Sequence, residues 1–219
     1  MVERTIRPVS SRRVSEATRA VAALDPAMAA LIRRAGPCSL TPSRDADGGF
    51  AELIRGISSQ QIAGAEAAAI HGRFRALVPG ELTSDAVLAL SEESMRGAGL
   101  SAAKTASIRD LAAKVDDGTV PLRQLGRMPD EEIVERLTTV RGIGRWTAEM
   151  FLVFHLARLD VWPVDDLGVR SGFALTFGID PAPTARQLRP MGDRFRPYRT
   201  IITWYAWQAL RLSRGQPLR

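Results

Sequence analysis

Apolar residues recur at intervals of three and four along almost the whole chain, whereas alternating runs rich in Val, Ile and Thr are scarce. The first pattern gives a helix one face to bury, and the second is what a half-buried strand requires. The chain is therefore expected to be all-α, with about ten short helices joined by short loops. Predicted helices cover Ser15–Leu24, a segment from Pro26 to Ile32 capped by Asp25, and a segment opening at Phe50 with Leu53, Ile54 and Ile57 on one face. The polar run Ser58-Ser59-Gln60-Gln61 interrupts that helix before the spacing resumes through Ile62, Ile70, Phe74 and Leu77. Further helices are predicted at Ser84–Leu90, Glu92–Gly97, Ala102–Val115, Asp130–Thr138, Arg145–Leu156, Leu167–Phe177, Ala185–Asp193 and Thr200–Leu212. Residues 1 to about 13 read as a loose basic arm, and the stretch from Gly36 to Gly49 reads as turns.

A length of 219 residues with 45% hydrophobic content suffices for a buried core in one or two domains. Thirty Lys and Arg against 24 Asp and Glu give a net charge of +6, and only Lys104 and Lys114 among those cations are not arginine. An acidic partner is expected, nucleic acid first. The single cysteine, Cys38, excludes an internal disulfide, a Cys-ligated zinc site and an iron–sulfur cluster. His71 and His155 are too few and too far apart for a zinc site, and a lone His on an apolar helix is ordinarily structural. No run approaches the roughly 18 apolar residues of a membrane span, and the N-terminus lacks the apolar core of a signal peptide. The expectation is an intracellular protein with no membrane association.

The segment from Leu137 to Met150 is the most informative. Gly142 and Gly144 flank Ile143 between two predicted helices, so a tight hairpin can expose its amide N–H groups at the start of the second helix. Such a terminus attracts phosphate, and Arg145 adds a full positive charge. The pair fails as a dinucleotide fingerprint, because a helix precedes it and the third glycine is absent. On the two glycines alone, a plain turn between packed helices would suffice. Further on, Asp165 and Asp166 immediately precede the helix at Leu167. An isolated pair there is ordinarily a helix cap, but a carboxylate in that place also suits electrostatic stabilisation of a cation. Counting back from the Leu-Gly-Val-Arg helix selects Asp166, while counting two residues on from Pro163 selects Asp165. The helix register favours Asp166, with Asp165 as the alternative.

The hydrophobic-x-Gly-hydrophobic-Gly pattern followed by Thr-Ala, at Val140, Gly142, Ile143, Gly144, Thr147 and Ala148, resembles the helix–hairpin–helix of the DNA glycosylase superfamily. The Asp-Leu-Gly-x-Arg form at Asp166 to Arg170 is similar to alkylpurine glycosylases of the 3-methyladenine DNA glycosylase II type. Ile57 to Ile62 resembles the family loop that enters the minor groove, with Gln60 and Gln61 as candidates to fill the gap left by an extruded nucleotide. Gly97 to Thr105 resembles the Gly-hydrophobic-Ser-x-x-Lys turn, which puts Lys104 in a buttressing or phosphate-facing role, with a plain exposed lysine as the alternative. Arg196 to Trp207 resembles the family's Arg-Pro-aromatic-Arg-Thr segment and its Trp-bearing helix. Core packing is the plainer reading of Trp204 and Trp207, which lie three apart.

The resemblance, from about Asp25 to Leu212, implies two all-helical lobes without the N-terminal β domain of larger relatives. Residues 50–160 would form the middle lobe, and 1–49 with 161–219 the other, with a substrate cleft between them. It implies a monofunctional base excision repair enzyme that flips out alkylated purines such as 3-methyladenine and 7-methylguanine. The enzyme would then hydrolyse the N-glycosidic bond and leave an abasic site in duplex DNA for a downstream endonuclease. Asp166 would be the catalytic residue; Gln60, Gln61, Lys104, Gly142, Gly144, Arg145 and Thr147 would contact DNA; and Trp146, Met150 and Trp204 would line the base pocket. No cofactor is expected beyond a monovalent cation at the carbonyls of Thr138, Val140 and Ile143. Trp146 stands where lyase relatives carry lysine, so no Schiff base is expected. A monomer in the cytoplasm and nucleoid, or in a nucleus, is expected. The competing reading is a non-catalytic damage-binding protein with the same hairpin.

Overall fold

The computed structural model describes residues 10–41, 48–62 and 64–216. Among them are thirteen α-helices and no strand: α1 Ser11–Leu24, α2 Pro26–Ala35, α3 Phe50–Ser59, α4 Gly64–Ala76, α5 Ser84–Leu88, α6 Glu92–Gly97, α7 Ala102–Asp116, α8 Leu122–Leu125, α9 Asp130–Thr138, α10 Arg145–Met150, α11 Leu167–Phe177, α12 Ala185–Met191 and α13 Arg199–Ser213. Side-chain caps set many of the starts. Ser10, Asp25, Thr83, Ser91, Ser101, Asp166 and Thr184 each accept a first-turn N–H. None of the helices described is long and apolar enough to cross a membrane.

Two expectations are corrected. The basic arm does not extend to residue 13, because Ser10 accepts the Arg13 N–H and starts α1 at Ser11; residues 1–9 lie outside the described residues. Within the predicted turn region, residues 42–47 also lie outside them. The helix expected to run from Arg145 to Leu156 stays α-helical only to Met150 and continues as a π-turn over Phe151–His155. The Arg158 N–H closes that turn onto the Leu152 carbonyl at 2.9 Å, and Ala157 ends it with a φ of 49°. Helix α8, four residues long, is too short to show periodicity and was not foreseen.

The chain divides into two compact units. The first holds the described residues from 48 to 151 and buries Ile54, Ile57, Phe74, Met95, Ile108 and Leu137. The second is made from both chain ends, 10–41 and 152–216, and buries Val21, Met28, Phe195, Ile201 and Tyr205. The later boundary falls between Phe151 and Leu152, nine residues before the expected one at 160. Residues 158–161 are tied to α13 instead: the Thr200 hydroxyl donates to the Arg158 carbonyl and accepts the Val161 N–H, at 2.6 and 2.8 Å. The Thr200 N–H also donates to the Leu159 carbonyl at 3.0 Å.

Candidate functional site

In the second unit α11 and α13 cross at very short range. A Cβ on Gly172 would stand 1.9 Å from the Ala206 carbonyl oxygen, so only glycine permits this crossing. Close to the start of α11, a Cβ on Gly168 would lie 3.0 Å from Asp166 Oδ1 and 3.1 Å from the Trp207 ring. This lack of bulk lets the indole reach the carboxylate. Asp166 Oδ1 accepts the Val169 N–H at 2.7 Å, as the cap of α11, and the Trp207 Nε1–H at 3.1 Å. Phe154 stacks on Trp207 with ring centroids 5.5 Å apart and 17° between planes. The π-turn delivers that ring: Phe151, Leu152 and Val153 are buried, whereas Phe154 remains 45% exposed. Leu167, next to the carboxylate, is 66% exposed, an apolar side chain left at the surface beside a charge. Asp165 is exposed, and Asp166 is half-buried and held on two sides.

The segment from Arg196 to Trp207 fixes the loop that leads to this carboxylate. The Arg199 guanidinium, largely buried, grips Asp160 at both carboxylate oxygens (2.8 and 3.1 Å) and at its carbonyl (3.0 Å). Arg196 adds a bond to the same carboxylate at 3.0 Å. The Trp162 indole, in the same loop, donates to the Leu188 carbonyl at 3.3 Å. A forked, permanently charged side chain suits this task better than lysine would.

The predicted pocket residues fare differently. Trp204 is 4% exposed and packs edge-on against Tyr205 at 4.7 Å, so it belongs to the core. The tryptophan bordering Asp166 is Trp207, one turn further along α13. The sequence reading placed Trp207 in the core beside Trp204 and did not single out Phe154, which lies in an apolar run with no signal that it faces outward. In the first unit, Trp146 is 48% exposed and Met150 is half-buried on α10.

The hairpin forms as expected between α9 and α10. Gly142 has a φ of 77° and lies against α7, where a Cβ would stand 2.6 Å from Ser107 Oγ. Gly144 caps α10 and is exposed, and Thr147 is half-buried in the first turn. The Arg145 guanidinium is paired with Glu131 and lies 3.7 Å from Glu149, which together hold its pKa above the usual arginine value. The polar break after α3 places Gln60 and Gln61 in different roles. Gln60 Nε2 donates to the Gly142 carbonyl at 2.9 Å, and Gln61 is exposed in a left-handed conformation, φ 57°. Lys104 does not stand out into solvent; its ammonium donates to the Ser58 carbonyl at 2.7 Å.

Residues 54–195 match the family model of the HhH-GPD superfamily of base excision DNA repair proteins. The chain is similar to DNA-3-methyladenine glycosylase 1 of Schizosaccharomyces pombe, 36% identical over 75% of this chain and 73% of that one. Among solved structures it is similar to DNA-3-methyladenine glycosidase from Bacillus halodurans, at 31% identity and a TM-score of 0.83, covering 96% of this chain and 95% of that one. It also resembles the S. pombe 3-methyladenine DNA glycosylase in complex with abasic DNA, at 33% identity and a TM-score of 0.75, covering 88% of this chain and 95% of that one.

Proposed function

Because the chain belongs to the HhH-GPD superfamily of base excision DNA repair proteins, we propose that it is a monofunctional DNA glycosylase acting on alkylated purines such as 3-methyladenine and 7-methylguanine. The observation that carries this reading is the Asp166 carboxylate, fixed by the α11 amide and the Trp207 indole beside a stacked aromatic pair. Its relatives are named for 3-methyladenine.

An alkylated purine is cationic, which weakens its N-glycosidic bond and favours stacking on electron-rich rings. Trp207, backed by Phe154, offers such a ring next to the carboxylate. As the bond to C1′ breaks, its electron pair leaves with the neutral base and the sugar becomes oxocarbenium-like. Asp166 stabilises that charge, and water adds to C1′. The released proton goes to solvent. No Schiff base forms, since the hairpin position used by lysine nucleophiles holds Trp146. The product is an intact strand with an abasic site, the substrate of an abasic-site endonuclease.

DNA contact falls to the first unit. Amides of Gly142 and Gly144 and the first turn of α10 with Thr147 grip a backbone phosphate, and Arg145 exchanges Glu131 for DNA. The side chain that enters the groove is Gln61, since Gln60 is engaged by the hairpin. The donor set at Thr138, Val140 and Ile143 fits a monovalent cation: α9 ends at Thr138, and the Val140 carbonyl, which accepts the Ile143 N–H, has a second lone pair. Such a cation would add positive charge behind the phosphate-binding amides.

The test is incubation with methylated duplex DNA and mass detection of free bases, with borohydride trapping run in parallel. Release of methylpurines without a trapped adduct supports the proposal. Tight binding without release of any base would leave a damage-binding protein.

A further inference from the structure

Helix α7 carries polar side chains at 104, 107, 110 and 114, a spacing that aligns them along one face. Each meets one of two loops. The Lys104 ammonium donates to the Ser58 carbonyl at 2.7 Å, at the entrance to the groove loop. Ser107 lies against Gly142 of the hairpin. The Asp110 carboxylate accepts the Arg141 N–H at 2.7 Å, also in the hairpin. Lys114 bridges the Asp110 carboxylate at 2.8 Å and the Thr139 carbonyl at 2.5 Å. Gln60 closes the circuit by joining the groove loop to the Gly142 carbonyl. A helix rises about 1.5 Å per residue, so these contacts span about 15 Å of one rigid rod.

The placement of Lys104 is not explained by helix stability. An ammonium in the first turn opposes the helix dipole. Burial also pulls it below the usual lysine range, with the charge of Glu66 opposing that shift. A phosphate ligand would stand out toward solvent, whereas this ammonium is turned onto a carbonyl 46 residues away in sequence.

We infer that α7 is a polar ruler that holds the groove loop and the hairpin at a fixed separation, making Lys104 and Asp110 positioning residues for nucleotide extrusion. This rests on the glycosylase reading, because it assigns those loops to the groove and to the phosphate. With the hairpin seated on the backbone, the ruler determines how deep Gln61 reaches. Freeing either end of it leaves the grip on DNA intact but lets the wedge retreat.

The experiment uses the full chain and a duplex carrying 2-aminopurine beside 3-deaza-3-methyladenine, a lesion whose glycosidic bond resists hydrolysis. Fluorescence reports unstacking without any base release. Lys104→Met and Asp110→Ala are each expected to lower the unstacked fraction by about tenfold or more. The salt slope of duplex affinity should stay as in wild type. Lys104→Arg should restore unstacking, since a guanidinium can reach the same carbonyl. The double variant should lose no more than the worse single one, because one freed end already disables the ruler. A salt slope reduced by about 0.9 in Lys104→Met, with unstacking intact, would make Lys104 a phosphate contact and overturn the inference. Losses that multiply in the double variant would overturn it as well. Thermal melts of each variant, with Asp110→Asn as a milder change, separate loss of fold from loss of register. A wild type that unstacks the duplex but releases no methylpurine removes the proposed function and leaves the ruler standing; one that does not unstack it removes both.

Discussion

Trp207→Phe removes the indole N–H that reaches Asp166 Oδ1 at 3.1 Å and keeps an aromatic ring beside Phe154. A hydrogen bond to a charged acceptor contributes about 1.5–3 kcal/mol. Felt wholly in the transition state, that loss corresponds to a rate lower by about 10- to 150-fold. The Val169 N–H still holds the same oxygen at 2.7 Å, so the carboxylate stays on its cap and loses only the hold from α13. The lower end of the range is therefore expected, about 10- to 30-fold. The assay is single-turnover release of 7-methylguanine with enzyme in excess, read by mass detection, beside affinity for an abasic-site duplex. Affinity should change by less than about twofold, because the lost interaction acts on the reacting sugar more than on the bound product. A rate within about twofold of wild type would refute the claim that Trp207 positions Asp166. Equal losses in rate and affinity would make Trp207 a stacking surface only.

Gly172→Ala would place a Cβ 1.9 Å from the Ala206 carbonyl, so α11 and α13 must separate; a loss of about 3 kcal/mol or more is expected in thermal or urea melts. Asp110 is pushed up by burial, but the Arg141 N–H and the Lys114 ammonium outweigh this and leave it below the ordinary carboxylate value. Its contribution to stability is thus complete above about pH 4 and disappears as pH falls through the lowered folded value; Asp110→Asn should flatten this part of an acid melt. Burial pushes the Cys38 thiol up to about 11, against the Leu40 backbone hydrogen bond, so alkylation at pH 8 should run about two orders of magnitude slower than for a free thiol. Rapid labelling of the native protein would contradict that environment.

Helix positions were largely legible because their signals are local. Glu92–Gly97, Asp130–Thr138 and Leu167–Phe177 match their predicted bounds, two of them beginning at Ser91 and Asp166 caps. The same register favoured Asp166 as the reacting carboxylate and left Asp165 as a cap or solvent-facing neighbour; in the structure Asp166 itself caps α11 and Asp165 is exposed. What was not legible depends on partners distant in sequence. Whether Trp204 or Trp207 faces Asp166 is decided by how α11 crosses α13, which turns on Gly172 meeting Ala206. The π-turn has no marker in the sequence, since Ala157 adopts its left-handed conformation without being glycine. The bond from Gln60 spans 82 residues and that from Lys104 spans 46, so the resemblance could single these residues out, with a buttressing role open for Lys104, but could not name the carbonyls they hold.

The proposed chemistry rests on one carboxylate, Asp166, which stabilises the sugar cation as the glycosidic bond breaks. Release of methylpurines from methylated duplex DNA by wild type, Asp165→Asn and Asp166→Asn, measured side by side, tests it most directly. Asp165→Asn is expected to release base at close to the wild-type rate, while Asp166→Asn loses about a thousandfold or more and still binds abasic-site DNA. Full activity in Asp166→Asn, or loss confined to Asp165→Asn, would contradict it.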